Sequence, residues 1–218
     1  MHDFLIIWAH IDLVFTGLIN TLILIVLAGV MSILLGLILT PLLVGSNKAL
    51  ATMVQCYVDA MRCVPFLLFV YLIYFGLPTL GLRLSSWTAG ALALVLYNTA
   101  YMAELLRGAW LELPPSILES GRSFGFTGWG LLRHIMVTPM LIRALPMIGN
   151  QLIQSLKDSA FLTVIAVKEL THELNGIQST YFIPFAAFLT ALILYWIICI
   201  LMEMVMGSFE QFAVLRRP

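Results

Sequence analysis

Polar side chains occur in two strongly apolar stretches of the chain, where they are expensive to place in lipid. In the first stretch Asn98, Tyr101 and Glu104 advance by three residues, so a helix places them on one face. In the second stretch four polar residues form one stripe with Gln151 on its flank; the set is Asn150, Gln151, Gln154, Lys157 and Asp158. Polar groups at membrane depth usually face a bundle interior or a water-filled path. We therefore predict that both stripes line a translocation path.

The ionic residues of these stripes have a second interpretation. Lys157 could bond to Asp158, or to Glu104, only to neutralise buried charge. If either carboxylate instead faced the path unpaired, it would favour a cationic substrate, an inference that the nearby lysine weakens. The residue pattern leaves both interpretations open.

A polar segment over residues 112–138 interrupts the apolar sequence. Ser116 and Glu119 fit an S-x-x-E capping box, which predicts a short helix, and Gly125 supplies the left-handed residue that ends it. Thr127 then caps a second short helix, and a proline marks the return to the membrane. We predict a helix–turn–helix at the mouth of the membrane, although a well-capped loop without function fits the same residues.

Composition places the chain in a membrane. With 61% hydrophobic and 10% charged residues, it is far more apolar and less charged than a soluble domain. The formal net charge is zero, so the chain lacks the excess of positive charge that is typical of nucleic-acid-binding proteins. The cysteines lie in apolar segments without C-x-x-C spacing, so we predict packing roles for them and no metal site or cofactor on this chain.

Runs without charge predict an all-α membrane protein of one domain with five transmembrane helices, since a bilayer core requires roughly 20 apolar residues in a helix. The predicted spans are residues 16–44, 49–77, 86–108, 140–167 and 180–206. Residues 1–15 carry aspartates between apolar side chains and predict an interfacial amphipathic helix. In the first span Ala28, Ser32 and Gly36 form a stripe of small residues suited to close helix contact.

The distribution of Lys and Arg predicts the orientation. With the N-terminus outside, the outer side holds only Arg83 and Lys168. The inner side then holds Lys48, Arg107, Arg122, Arg133, Arg143, Arg216 and Arg217. We therefore predict an outside N-terminus, a cytoplasmic C-terminus and a cytoplasmic segment 112–138.

Several motifs occur together in the order of one known family. Glu119, Ser120 and Gly121, followed by three residues and Gly125, resemble the E-A-A-x-x-x-G loop of ABC importer permeases. Ser120 and Gly121 replace the two alanines of that pattern. Further segments resemble the branch that imports polar amino acids and opines; they are residues 17–22, 62–65, 73–78, 101–108, 149–151, 156–159 and 167–171. The chain is identified as a member of this branch, with the fold of a type I ABC importer permease.

The resemblance implies a set of partners in a bacterial inner membrane. Two permease subunits, identical or related, would surround a central path for a polar amino acid, and a solute-binding protein would deliver that substrate from outside. Each permease would couple to a cytoplasmic ABC ATPase dimer through Glu119, Gly121, Arg122 and Gly125, and the path would then switch between inward-facing and outward-facing states. The chain lacks a G-x-x-x-x-G-K-S/T loop, so we predict that ATP and Mg bind on the partner and that this chain is not an enzyme.

An ion-gradient-driven secondary amino-acid transporter is the alternative. Such proteins often contain inverted repeats, whereas five spans divide poorly into two halves, and segment 112–138 would have no role. An intramembrane enzyme is a third class, but the sequence contains no HExxH or GxSxG motif and no paired aspartates in facing spans.

Overall fold

The computed structural model describes residues 2–214, and within that range the chain is helical without strands. The helices are α1 His2–Ala9, α2 Ile11–Val44, α3 Lys48–Cys63, α4 Phe66–Tyr71, α5 Ser86–Leu111, α6 Pro115–Ser123, α7 Gly128–Leu131, α8 Val137–Ser159, α9 Leu170–Tyr181 and α10 Pro184–Val214. Short π turns follow α4 and α7, at Leu72–Gly76 and Leu132–Met136. Short 3-10 segments lie at Leu77–Leu80 and Ala160–Ile165. Met1, Arg216 and Arg217, which entered the predictions, lie outside the described residues.

Apolar helices of membrane-spanning length confirm the prediction of an all-α membrane protein. Between residues 2 and 214, four segments are long and apolar enough to cross a bilayer: Ile11–Val44, Ser86–Leu111, Gly128–Ile165 and Pro184–Phe209. The interrupted pair Lys48–Cys63 and Phe66–Leu80 supplies a fifth candidate. The five predicted spans fall on these segments.

Prolines change the bounds of two predicted spans. The sequence predicts one bent helix over 49–77, but the helix is interrupted at Val64 and Pro65, because a proline cannot donate a backbone hydrogen bond and disfavours helical geometry in the residue before it. Pro139 does not interrupt the chain. It lies in the first turn of α8, directly after a π turn, so the apolar helical segment that contains the predicted fourth span already begins at Gly128, within segment 112–138.

The last span begins later than predicted. Phe182 adopts a left-handed conformation with φ +54°, which ends α9 at Tyr181 and starts a separate helix at Pro184 instead of at 180. Residues 1–15 also differ from the single interfacial helix that was predicted, because α1 ends at Ala9 and α2 begins at Ile11.

Contacts among the described residues form two compact units, and the single permease domain indicated by the sequence stays a prediction. The first unit contains residues 2–31, 64–98 and 152–201, and the second contains 32–63, 99–151 and 202–214. In the first unit the Thr21 hydroxyl donates to the Gly17 carbonyl and accepts from the Leu170 amide, both at 3.0 Å.

A small core of close helix contacts holds the second unit. Val58, Ala100 and Ala103 are fully buried there. A Cβ on Gly36 would lie 3.0 Å from the Cβ of Met102, so glycine allows α2 to approach α5 closely. The other members of the predicted small-residue stripe, at positions 28 and 32, are also fully buried.

Candidate functional site

Segment 112–138, which we call the polar loop, contains α6, but the capping box predicted for that helix is wrong. Pro114 occupies the N-cap position and Pro115 is the first helical residue, so Ser116 already lies inside the helix. Proline suits a first helical position, because its fixed φ matches the helix and the missing N–H would lack a partner there. No side-chain hydrogen bond caps α6 in the described structure, and the Glu119 carboxylate is not used for capping. Thr127 precedes α7 but likewise makes no side-chain cap.

The stop predicted at Gly125 is confirmed. Gly125 has φ +82°, a left-handed conformation that glycine adopts without steric cost. Its amide donates to the Arg122 carbonyl at 2.9 Å, and the Phe126 amide donates to the Gly121 carbonyl at 3.1 Å. These two hydrogen bonds form a Schellman motif, which fixes the direction in which the chain leaves α6.

Gly121 brings α6 into close contact with the following helical segment. Gly121 is buried, and a Cβ at this position would lie 2.5 Å from Leu131 Cδ1 and 3.2 Å from Ile135 Cγ1. These larger side chains fill the space that an alanine would need. The contact explains how this chain accommodates a glycine where the resembling pattern has alanine.

The outer surface of the polar loop carries charged groups without partners among the residues that the structure describes. Glu119 and Arg122 are exposed, and among the described residues neither side chain forms a hydrogen bond or an ion pair. Phe124 is 81% exposed and Trp129 is 64% exposed. The charges on α6 and the large apolar side chains that follow it in the polar loop together form a surface suited to binding another protein.

Glu104, in the second unit, is neutralised by arginines and not by Lys157. Its carboxylate accepts hydrogen bonds from Arg107 Nε at 2.8 Å and from Arg107 Nη2 at 2.7 Å. Arg62 Nη1 lies 3.6 Å from Glu104 Oε1. The carboxylate is therefore not available as an unpaired site for a cationic substrate.

In the first unit, Asn98 and Asp158 are buried and satisfied by neighbours. The Asn98 amide donates to the Leu94 carbonyl at 2.9 Å and to Ser155 Oγ at 3.0 Å. Asp158 Oδ1 accepts from Gln154 Nε2 at 3.0 Å. These hydrogen bonds link Asn98 to the residues around it and fix the side chain of Asp158.

The remaining residues of the two stripes are more accessible. Lys157 is exposed and forms neither of the ion pairs predicted for it within residues 2–214. Asn150 is also exposed, whereas Tyr101 and Gln151 are half-buried. The lining of a path by these residues stays a prediction.

Sequence reasoning used Arg62 only as part of a motif and did not use Asp59. Both are exposed on α3, inside the predicted second span, and Asp59 Oδ1 accepts a hydrogen bond from Gln55 Nε2 at 2.8 Å. Two charged residues three positions apart within a predicted span are costly in lipid, and this pattern could have identified them as candidate functional residues.

Sequence reasoning included Glu169 in the motif over residues 167–171 but did not predict that this acid is buried before α9. Glu169 is fully buried, and its carboxylate accepts from the amides of Thr171 and His172 at 2.8 and 2.7 Å and from the Tyr195 hydroxyl at 2.9 Å. Burial raises the pKa of Glu169 to about 7, because loss of solvation outweighs the hydrogen bonds that favour the charged form. Glu169 therefore caps α9 with a carboxylate that titrates near neutral pH.

Comparison with known proteins places this architecture in a family. The family described as a binding-protein-dependent transport system inner membrane component matches residues 32–213, which include α3, the polar loop and α8. The chain belongs to this family. The identification made from the E-A-A-like loop and its accompanying motifs is therefore confirmed, and a secondary transporter is not favoured.

Permease proteins from several bacteria are similar to this family member over most of its length. The probable glutamine ABC transporter permease protein GlnM of Bacillus subtilis is 28% identical over 206 residues, covering 94% of this chain and 95% of the relative. The glutamine transport system permease protein GlnP of Escherichia coli K12 is 31% identical over 157 residues, covering 71% and 72%. The octopine transport system permease protein OccQ of Rhizobium meliloti is 34% identical over 166 residues, covering 71% and 70%.

Solved structures confirm the type I permease fold. A crystal structure of an amino acid ABC transporter with histidines matches with a TM-score of 0.86 and 30% identity, covering 95% of this chain and 97% of the other. The MetNI methionine ABC transporter in an inward-facing conformation matches with a TM-score of 0.79 and 22% identity, covering 92% and 96%, which supports the fold alone.

Proposed function

We propose that this chain is the permease subunit of an ATP-driven importer for a polar amino acid or an amino-acid derivative. It spans the cytoplasmic membrane of a bacterium several times, with the N-terminus outside and the polar loop in the cytoplasm. The family membership and the glutamine and octopine permeases among its relatives support the class of cargo. The observation that carries the coupling role is the polar loop, where the exposed side chains of Glu119 and Arg122 have no partner within residues 2–214.

The coupling contact consists of residues that either bind the partner or hold the helix that binds it. Glu119 and Arg122 contact a cytoplasmic ABC ATPase dimer, which binds ATP and Mg. Gly121 and Gly125 keep α6 against the rest of the chain, so that a displacement of α6 moves the spans with it. If α6 were not packed against the rest of the chain, its displacement by the ATPase would move the spans less.

The path is formed with a second permease subunit, a copy of this chain or a related one, and an extracytoplasmic solute-binding protein delivers the substrate. Tyr101, Asn150, Gln151, Gln154 and Lys157 supply accessible polar groups to the path. The buried side chains of the same stripes, together with the arginine-bound Glu104, position these groups.

Charge reversal in the polar loop tests this function. The permease is expressed with the ATPase and the binding protein encoded beside it, and ATP-driven amino-acid uptake and ATP hydrolysis are measured in liposomes. We expect Glu119→Lys and Gly125→Pro to reach the membrane but to lose uptake and its coupling to ATP hydrolysis. Glu112→Lys is the matched control, because Glu112 is exposed in the same loop but lies outside α6. Normal uptake by both loop variants would reject the coupling role.

A further inference from the structure

Helix α3 presents polar side chains to a cavity in the second unit. The cavity is a wide-open depression with a volume of about 730 Å³, and its lining includes Leu43, Thr52, Gln55, Cys56, Asp59 and Cys63. The helix belongs to the interrupted candidate span that begins at Lys48. A carboxylate at such a position is costly in lipid, so it requires water or a polar ligand in the cavity.

Arg62, three residues after Asp59, has unused hydrogen-bonding capacity. Arg107 occupies both oxygens of Glu104, and the 3.6 Å between Arg62 Nη1 and Glu104 Oε1 is too long for a hydrogen bond. The Arg62 side chain is 41% exposed, and within residues 2–214 its guanidinium donates no hydrogen bond. The guanidinium is paired with Glu104 by charge alone, so its planar N–H groups retain the capacity to bind a carboxylate in a bidentate manner.

Asp59 complements this arginine. Gln55 holds one carboxylate oxygen of Asp59 at 2.8 Å, and the exposed side chain forms no ion pair with Arg62 in the described part of the chain. Residues three apart on a helix are surface neighbours. The helix thus carries an anion and a cation at neighbouring positions, and Arg62 forms its ion pair with Glu104 rather than with Asp59.

We propose that Asp59 and Arg62 bind the two charges common to all amino acids. Arg62 binds the α-carboxylate and Asp59 binds the α-ammonium group of the transported substrate. Gln55 positions Asp59, while Arg107 keeps Glu104 from competing for Arg62. This inference rests on the proposed amino-acid cargo and assigns the backbone end of the substrate to α3, leaving the substrate side chain for other residues.

Matched ligands that lack one charge test this assignment. Binding is measured on the purified permease–ATPase complex without the binding protein. The probes are tritiated L-glutamine, its α-amide and its N-acetyl derivative, or the same derivatives of whichever of the twenty amino acids the wild type takes up fastest. The wild type should prefer the zwitterion over both derivatives by about tenfold or more, since each derivative loses a charged hydrogen-bond partner.

Each variant should lose selectivity for only one charge. We expect Arg62→Gln to bind the zwitterion about tenfold more weakly and to discriminate little against the α-amide, while it still rejects the N-acetyl derivative. Asp59→Asn should show the reverse pattern, and Arg62→Lys should recover part of the preference for a carboxylate. Arg143→Gln, which removes an exposed arginine on α8, serves as the matched control and should behave as wild type.

Three results would overturn the assignment. One is wild-type selectivity in both variants, which would leave the amino-acid importer in place but remove this site from it. Another is an equal loss of affinity for all three ligands, together with dissociation of the permease pair on size-exclusion chromatography. That result would indicate that α3 lies in the interface between the subunits. If the wild type takes up none of the twenty amino acids, the proposed cargo itself fails, and this is seen before any variant is tested.

Discussion

Replacing Gly121 with alanine should weaken the attachment of α6 while the spans remain intact. The new Cβ would lie 2.5 Å from Leu131 Cδ1 and 3.2 Å from Ile135 Cγ1, so α6 or these side chains must move. Overpacking of this kind costs roughly 1–3 kcal/mol. Alanine recovers about 1 kcal/mol through its higher helix propensity. We expect a net loss of about 1 kcal/mol, confined to the polar loop.

Limited proteolysis of the polar loop and the ratio of substrate imported to ATP hydrolysed measure this effect. Gly121→Ala should be cut faster within the loop and should import less substrate per ATP. Gly121→Ala combined with Leu131→Val should recover both properties, because valine lacks the Cδ atoms that meet the new methyl group. Gly108→Ala is the control, since nothing lies within 4 Å of a Cβ there. Wild-type proteolysis and coupling in Gly121→Ala, or no recovery in the double variant, would refute the packing argument.

Gly125→Ala should shift α6 and lower coupling, because a φ of +82° costs an L-residue about 1–2 kcal/mol. Gly108→Ala, where a Cβ meets nothing within 4 Å, should leave coupling unchanged. The ratio of substrate imported to ATP hydrolysed compares the two variants. Burial raises the pKa of Glu169 from 4.5 to about 7, so the folded state binds a proton on this carboxylate more tightly than the unfolded chain does. The free energy of unfolding should therefore fall by about 3 kcal/mol as the pH rises from 4.5 to 7, and it should then level off. Thermal unfolding of Glu169→Gln should lack this decline, and an unchanged pH dependence would show that another group is responsible. Thr21→Val should lower the free energy of unfolding by about 1–3 kcal/mol, because it leaves the buried Leu170 amide at the start of α9 without an acceptor. Thr16→Val removes only an exposed hydroxyl and should cost far less in the same thermal unfolding assay.

The elements of the fold followed from the sequence where a single local cause determines them. Spans were predictable because runs without charge must cross lipid as helices. The end of α6 at Gly125 was predictable because few residues other than glycine adopt a left-handed conformation cheaply. The start of α6 was not, because two local signals compete there, and the fixed geometry of Pro115 takes the first helical position ahead of a cap by Ser116.

Contacts between elements were less predictable. The helical spacing predicted a polar face that includes Glu104, but the arginine partners of its carboxylate depend on how α3 packs against α5, which no local pattern specifies. The Asn98 amide donates to Ser155 Oγ, 57 residues away, and no local pattern specifies that contact. The left-handed Phe182 gave no signal at all, because bulky residues rarely adopt that conformation.

Uptake by liposomes that contain the permease and its ATPase tests the central claim most directly. Labelling of Glu119→Cys first shows on which side the polar loop lies, and ATP is then supplied on either side with the binding protein opposite. We predict amino-acid uptake only when ATP is on the side of the polar loop, and its loss in Glu119→Lys. Uptake that continues without the ATPase and follows a proton or sodium gradient would contradict the account.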